Sequence, residues 1–343
     1  MNISIFNKDL PPALSHEIDS FVKSSPHYTV FQSPAFYSFY QSVPQYLPYY
    51  FVAKSLTGEI TGVMLAVVIS EKGRFLSFFS SRCVVYGGPL VKNDDKEVIS
   101  QLLSCLNNTL GNKTLFTQFR NFRDWDIEAK SNFAKNGFTY RERLNLLVPT
   151  RNEQEVLLNM SASRRRQIKK GIGAGVKIRL VQNMDEVLRL YEIISVLYHR
   201  KVRKPLPDKA FFTSFYNQVV KLNNGVMLLV IFENKIIGGV VCPLSAPFTL
   251  SELYVCGLDE EYPQCYPSVM ATWAALSYAA NNGIQNFDFM GLGKPEVPYG
   301  VRDFKLRFGG QVVNYGRFAR RNHPVLYFIA EIGYNVLRKL KMI

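Results

Sequence analysis

Hydrophobic and polar positions along the chain switch between a period of two and a period near 3.6, and each switch marks a predicted element. ISIF (3–6) predicts a strand, and helical patterns follow over 13–25 and 34–43. Three β-type runs come next, YYFVAKS, ITGVMLAVVIS and FLSFFSS, separated by a Gly-Glu turn and a Lys-Gly turn. A helix opened by Asp94 and Asp95 runs through VISQLLSCLNNTL; then come the strand LFTQFRNF, a helix over 125–136 and the strand FTYRERLNLLV. In letters the order is βααβββαβαβ.

The second half repeats it. VKIRLV precedes helices over 185–202 and 208–222; VMLLVIFE, KIIGGVVCPL and FTLSELYVCG follow as three strands. A helix over 267–282, the strand NFDFMG, a short helix over 303–308 and the strand QVVNYGRF complete the repeat. Two copies of one order with almost no identity between them predict a duplicated α/β unit with a mixed central sheet. The order matches the acyl-transfer fold called GNAT. The expected fold class is therefore α/β, two tandem GNAT-like domains resembling acyl-CoA N-acyltransferases, with no coiled-coil arm. The boundary is expected where Val148-Pro149 gives way to a polar, helix-forming run, giving domains 1–150 and 151–343.

Composition narrows the class. At 343 residues and 47% hydrophobic content, each half can bury a core of ordinary size. No stretch approaches the roughly 18 apolar residues of a spanning helix. Met1 to Phe21 carries Lys8, Asp9, Glu17 and Asp19 where a signal peptide is apolar, so the chain is expected in the cytoplasm. Five cysteines without a Cys-x-x-Cys pair read as buried free thiols. The formal charge of +14 is uneven: residues 1–150 hold 15 Lys and Arg against 12 Asp and Glu, and 151–343 hold 26 against 15. A second half at +11 favours an anionic partner: RNA, a nucleotide-sugar phosphate, a lipid pyrophosphate or an acidic membrane face.

The densest basic segment is SASRRRQIKKGIGAGVKIR (161–179), with Ser161 or Ser163 as helix cap. Arg164, Arg165, Arg166, Lys169 and Lys170 are the expected phosphate-binding set, a solvated helix face being the plainer alternative. Its glycines follow a basic helix and precede a strand, the reverse of a dinucleotide loop, and read as a helix stop. A second cluster, His199-Arg200-Lys201-Val202-Arg203-Lys204, ends a helix whose dipole cations suit; Pro205 and Pro207 stiffen the loop beyond. The four histidines lie apart from one another and from cysteines or carboxylates at ligand spacing, so no metal is expected. Neither a Gly-x-Ser-x-Gly elbow nor a Walker-type loop is present, which argues against a covalent nucleophile. A GNAT enzyme using CoA binds pyrophosphate on a Gly-rich loop at a helix N-terminus. The corresponding loops here read YGGPLVKNDD and DEEYPQCYPS, whose acids and prolines suit a diphosphate poorly, and no cofactor is expected.

YGGPLV (86–91), SRRRQIKKGIGAGVKIR, LYVCGLDEEY with the PSVMATWAAL helix, FDFMGLG (287–293) and FKLRFGG (304–310) together resemble the FemABX family over most of the chain. FKLRFGG with FDFMG about fifteen residues before it carries the most specific part of the likeness. The resemblance implies transfer of an acyl group, in the best-known members an aminoacyl group from aminoacyl-tRNA, onto an amine of a peptidoglycan precursor. It implies that Lys305, the lysine of the FK-x-x-FG motif, lies at the transfer site, with Phe304 and Tyr254 contacting donor or acceptor. Arg200 stands in for a phosphate-binding lysine that helix 34–43 lacks, and Tyr86 and Arg302 complete the expected substrate-binding group. A fixed ammonium stabilises a developing oxyanion, so Lys305 is expected to act electrostatically. Lys305→Ala is expected to abolish transfer and leave folding intact. No general base is evident, because Asp288 alternates with apolar residues inside the strand NFDFMG and reads as structural. The charged helical arm found in several bridge-forming members is missing, which weakens the case for tRNA, although shorter members also lack it.

The expected partners are an aminoacyl-tRNA or other acyl donor and a phosphate-bearing envelope precursor; a DNA partner is not expected. The segment 324–341 places Leu326, Ile329, Ile332, Val336 and Leu340 on one side of a helix and carries Arg338, Lys339 and Lys341. Packing on the core is favoured over an acidic membrane surface, because Glu331 and Asn335 interrupt the run; peripheral contact with an acidic membrane at its inner face is the second reading, of interest where the acceptor is lipid-linked. A CoA- or carrier-dependent N-acyltransferase and a noncatalytic RNA-binding protein remain as alternative readings.

Overall fold

A computed structural model of the chain describes residues 1–70, 80–202, 205–298 and 300–339. It divides into two compact units, residues 1–142 with 315–343, and residues 143–314. Strands are counted β1 to β16 along the chain.

In the first unit the sheet runs in the order β1 (Asn2–Phe6), β2 (Tyr46–Lys54), β3 (Ile60–Ile69), β4 (Arg82–Tyr86), β6 (Phe116–Arg120), β16 (Arg317–Arg321) and β7 (Thr139–Arg141). A short β5 (Leu90–Val91) also pairs with β3. Among the described residues of this sheet only β4 and β6 run parallel, from Arg82↔Phe116 to Tyr86↔Arg120. The helix Lys96–Leu110 starts where Asp95 accepts from the Glu97 and Val98 amides, at 2.9 and 3.2 Å. Its apolar stripe, Ile99, Leu102, Leu103 and Leu106, packs into a core with Phe119, Phe133 and Phe138. Phe318 of β16 stacks on Phe133 with ring centroids 3.9 Å apart.

The second unit orders its sheet β15 (Gln311–Val313), β8 (Asn145–Pro149), β14 (Asn286–Asp288), β12 (Thr249–Ser251), β11 (Lys235–Ser245), β10 (Gly225–Phe232) and β9 (Lys177–Leu180), with β13 (Tyr254–Gly257) also on β11. The helix Pro267–Asn281 lies on β10, β11 and β13 and meets helices Glu153–Asn159 and Ala162–Gly173 on another side. That double cover is why PSVMATWAAL has almost no polar face: Val269, Met270, Trp273, Ala274 and Leu276 are all buried. No helical arm interrupts this unit among the described residues.

The strand pairing draws the units differently from the expected cut at 150/151. FTYRERLNLLV breaks after Arg141, β7 staying with the first sheet while β8 pairs with β14 and β15 in the second. QVVNYGRF breaks likewise, β15 in the second sheet and β16 in the first. Each reads as one strand because the polar interruptions, Glu142-Arg143 and Asn314-Tyr315-Gly316, are short. FTLSELYVCG also divides, into β12 and β13, with Glu252 and Leu253 between them. The predicted strand FLSFFSS lies almost wholly outside the described residues, as do Arg203 and Lys204. The helices predicted to reach Val202 and Leu222 end in π-helical turns, Tyr198–Val202 and Tyr216–Val220.

The segment 324–341 forms a helix, Pro324–Lys339, but not one packed by its predicted row. Ile329 and Ile332 are exposed, whereas Leu326, Tyr327 and Ala330 are half-buried. The side facing the fold is set by Tyr327, whose ring meets Phe116 edge-on at 5.6 Å. Val336 and Leu340 fall beyond the described side chains.

Candidate active site

Strands β12 and β14 lie side by side and parallel for three residues, ending at Ser251↔Asp288, with the Glu252 amide donating to the Asp288 carbonyl at 2.8 Å. Beyond that point they part. The β12 chain turns at Glu252 and Leu253 and rejoins β11 as β13, while the β14 chain continues along β8: Phe289 and Leu292 donate to Leu146 and Leu144 at 3.1 and 2.8 Å. Met290 and Gly291 take positive φ, 57° and 136°, so this continuation is irregular. The Phe289 and Gly291 carbonyls therefore have no neighbouring strand on the β12 side.

Lys305 fills the parting. It comes from the helix Gly300–Leu306, and its Nζ donates to the Phe289 carbonyl at 2.6 Å and the Gly291 carbonyl at 3.3 Å. Glu252 Oε1 lies 3.1 Å from the same nitrogen. The side chains are 12% and 3% exposed, so this is a buried ion pair. An ammonium has three N–H donors, and these three acceptors use all of them. Glu252 Oε2, also buried, has no hydrogen-bond partner among the described residues.

Beneath the pair sits Asp288. Its Oδ1 accepts from Asn145 Nδ2 at 2.7 Å and from the Met290 amide at 2.6 Å. Burial raises its pKa and the charge of Glu252 adds to this, against those two hydrogen bonds and the charge of Lys305. A carboxyl that binds its proton more tightly folded than unfolded stabilises the fold most below its unfolded pKa, and stability falls as pH rises through the folded value. Asp288→Asn keeps an acceptor for both donors. Chemical denaturation across pH is expected to find this variant at least as stable as the wild type at neutral pH, with a smaller decline above about pH 4.

The motif around Lys305 explains its own sequence. Phe308 is fully buried against Phe289 and Phe304, at centroid distances of 5.8 and 5.4 Å. Gly309 and Gly310 have φ of 81° and 98°, and a Cβ on either would press into the carbonyl of Asn159 or Leu147. They let the chain turn from the helix into β15. Arg164 caps the motif: its guanidinium lies 4.4 Å from the Phe304 ring centroid and 4.3 Å from that of Phe308, and donates to the Phe304 carbonyl at 2.9 Å. Burial, and then the like charge of Arg307, lower its pKa to about 10, so it stays cationic at neutral pH.

The expected phosphate set is thereby divided. Arg164 is buried and committed to FKLRFGG, which overturns its assignment to phosphate: one face of this helix must pack, and a guanidinium over two rings is how it does so. Arg165 turns back to the Leu158 and Met160 carbonyls at 3.0 and 2.5 Å, where it caps the helix Glu153–Asn159. Arg166, Lys169 and Lys170 are exposed. Ser161 is the helix cap, accepting from the Arg164 amide at 3.3 Å.

Among the expected substrate-binding residues, Phe304 adjoins Lys305 in the same helix. Arg302 points into its own loop, donating to the Leu292 carbonyl at 2.9 Å and the Val297 carbonyl at 3.2 Å, and so holds the segment leading from FDFMG rather than offering a free cation. Tyr254 opens β13 beside Phe212, Phe211 and Tyr198, at 5.1, 5.8 and 6.0 Å. Arg200 is exposed in the π-helical turn Tyr198–Val202. Tyr86 belongs to the first unit, where it stacks on Phe31 at 5.2 Å beneath the Arg120 guanidinium at 4.9 Å.

Glu252 is the residue that sequence reasoning passed over. Its signal was a lone carboxylate inside the β-type run FTLSELYVCG, which burial obliges to find a cation. At the N-terminus of the helix Pro267–Asn281, Asp259 accepts from the Ser268 amide at 3.1 Å and from the Ser268 hydroxyl. A carboxylate thus takes one amide of the helix end at which a CoA-binding GNAT holds pyrophosphate, and its negative charge disfavours an anion there.

The model of the FemAB family matches residues 244–335. No curated protein matches the chain. Among solved structures, FemX superposes with a TM-score of 0.73 at 16% identity, over 96% of this chain and 100% of that one. L-PGS from Bacillus licheniformis gives 0.58 at 12% identity, covering 95% and 98%. A tandem GNAT protein from the clavulanic acid biosynthesis pathway gives 0.57 at 8% identity, covering 94% and 99%. At these identities the likeness is one of fold: two GNAT-like domains in tandem.

Proposed function

Because the chain is FemABX-like, with two GNAT-like domains in tandem, we propose that it is a cytoplasmic acyltransferase that forms an amide on an amine of a cell-envelope precursor of the peptidoglycan type. The donor is an aminoacyl ester, aminoacyl-tRNA being the form that fits a basic unit. The observation that carries this proposal is the Lys305 ammonium held in the parting of β12 and β14 by two carbonyls and a carboxylate. Its position is fixed before any substrate arrives, so meeting a developing charge takes the exchange of one acceptor and no relocation of the ammonium.

In the transfer, the acceptor amine attacks the ester carbonyl, the C–N bond forms and the carbonyl oxygen becomes an oxyanion. Collapse of that intermediate breaks the C–O bond to the donor and releases its alcohol, and the proton lost by the amine balances the one the alcohol gains. Lys305 stabilises the oxyanion by exchanging one of its three present acceptors for it. Glu252 holds the ammonium in place and balances its charge between turnovers, a positioning role. Phe304 beside it offers a ring face to the donor.

Exposed Arg166, Lys169 and Lys170 supply phosphate contacts for donor or acceptor. Replacing all three by alanine is expected to leave the unfolding free energy within about 0.5 kcal/mol of wild type per position. It should also flatten the dependence of RNA binding on salt by roughly 0.7 log units per lost contact. Arg164→Ala, by contrast, should cost stability, about 3 kcal/mol, through the lost cover of Phe304 and Phe308. Titrations at several salt concentrations, together with urea unfolding, separate the two.

The function is tested by incubating the chain with charged tRNA, acyl-CoA and amine-bearing envelope precursors and following mass additions to the amine. Addition from the aminoacyl ester is expected. Addition from acyl-CoA alone would replace this proposal with a CoA-dependent N-acyltransferase, against which Asp259 at the helix N-terminus stands.

A further inference from the structure

We propose that the helix Pro324–Lys339 docks the protein on an anionic lipid surface through an inserted face of Val325, Phe328, Ile329 and Ile332. The proposal concerns where the protein works and stands apart from the transfer reaction.

These four side chains follow the spacing i, i+3, i+4, i+7, which places them on one face. They are 73%, 60%, 53% and 48% exposed. The opposite face ties the helix down: Tyr327 meets Phe116 at 5.6 Å and carries the Arg321 guanidinium 4.7 Å from its ring centroid, and Leu326 and Ala330 are half-buried. The apolar face is therefore presented without any element leaving the fold. A contiguous row of large aliphatic and aromatic groups in water marks an interaction surface rather than ordinary surface scatter.

Charge decides the occupant. Arg317 and Arg320 are half-buried in β16, Arg317 on Gln118 at 3.2 Å and Arg320 against Gly137. From Arg321 onward the sequence holds four cations, Arg321, Arg338, Lys339 and Lys341, against one acid, Glu331. A second copy of the chain would bring the same excess of three positive charges, on a protein already at +14, to the same segment. RNA would meet the cations but offers no apolar phase to four such side chains. A bilayer with acidic headgroups supplies both, an acyl boundary for the apolar face and negative charge for its flanks. No helix among the described residues is long and apolar enough to cross a membrane, so this contact lies in the interface plane.

The test is flotation of the full chain with phosphatidylglycerol–phosphatidylcholine vesicles and with pure phosphatidylcholine vesicles. Binding is expected only where phosphatidylglycerol is present, weakening as salt is raised. The double variant Phe328→Ser, Ile329→Ser should lose about tenfold or more in binding. Both positions are exposed, so its unfolding midpoint should match the wild type. The proposal is overturned by failure of the wild type to float, by equal binding to phosphatidylcholine, or by unchanged binding of the double variant. Sedimentation showing a dimer that dissociates in the double variant would overturn it in favour of a second copy.

Discussion

Lys305→Met is expected to lower the rate constant of transfer by about 10²–10³, the usual cost of removing one oxyanion-stabilising donor. The same change should also destabilise the protein, contrary to the expectation from sequence that the fold would be left intact. The reason is Glu252: with Lys305 gone, a carboxylate that is 3% exposed loses its cation. Breaking one side of a buried pair typically costs about 3–5 kcal/mol. A rate measurement on the single variant would therefore mix lost chemistry with lost structure. The double variant Lys305→Met, Glu252→Gln separates them, because removing both charges leaves neither one buried alone. Urea unfolding of the double variant should recover much of the stability, while its transfer rate stays as low as that of the single variant. Recovery of rate together with stability would mean that Lys305 holds the fold and does no chemistry.

Glu252→Gln alone carries the second large effect. It leaves the Lys305 ammonium with the Phe289 and Gly291 carbonyls and no anion, at an expected cost again of about 3–5 kcal/mol in urea unfolding. If Glu252 positions Lys305, the turnover number should fall while the Michaelis constant for the acceptor changes little, since no binding contact has been removed. A rise in the Michaelis constant with turnover unchanged would instead place Glu252 in acceptor binding.

The elements that could be read from the sequence were those whose pattern is local. The apolar stripe of Lys96–Leu110, its Asp95 cap and the Ser161 cap are each written within a few residues. The repeat of strand and helix order was legible for the same reason. Strand partners were not, because pairing depends on residues far away in the chain. Nothing in FTYRERLNLLV reveals that its two halves serve different sheets until Phe318 is seen stacked on Phe133 and Asn145 bonded to Asp288.

The site divides along the same line. FKLRFGG stands out as a motif, and its glycines and phenylalanines have the backbone and packing roles that such a run implies. The carboxylate that holds Lys305 lies more than fifty positions earlier, in a strand whose bend at Glu252 has no turn residue to announce it. Arg164 misled for a related reason. Three consecutive arginines look alike in sequence, but a helix sends neighbours about 100° apart, so one packs over Phe304 and Phe308, one folds back to cap a helix and one faces water.

The most direct measurement is the mass of an amine-bearing envelope precursor after incubation with an aminoacyl ester donor and either the wild-type chain or the Lys305→Met, Glu252→Gln variant at matched folded concentration. The acceptor should gain one aminoacyl residue with the wild type and almost none with the variant. Equal gain with both proteins, or no gain from any donor with the wild type, would contradict transfer at Lys305.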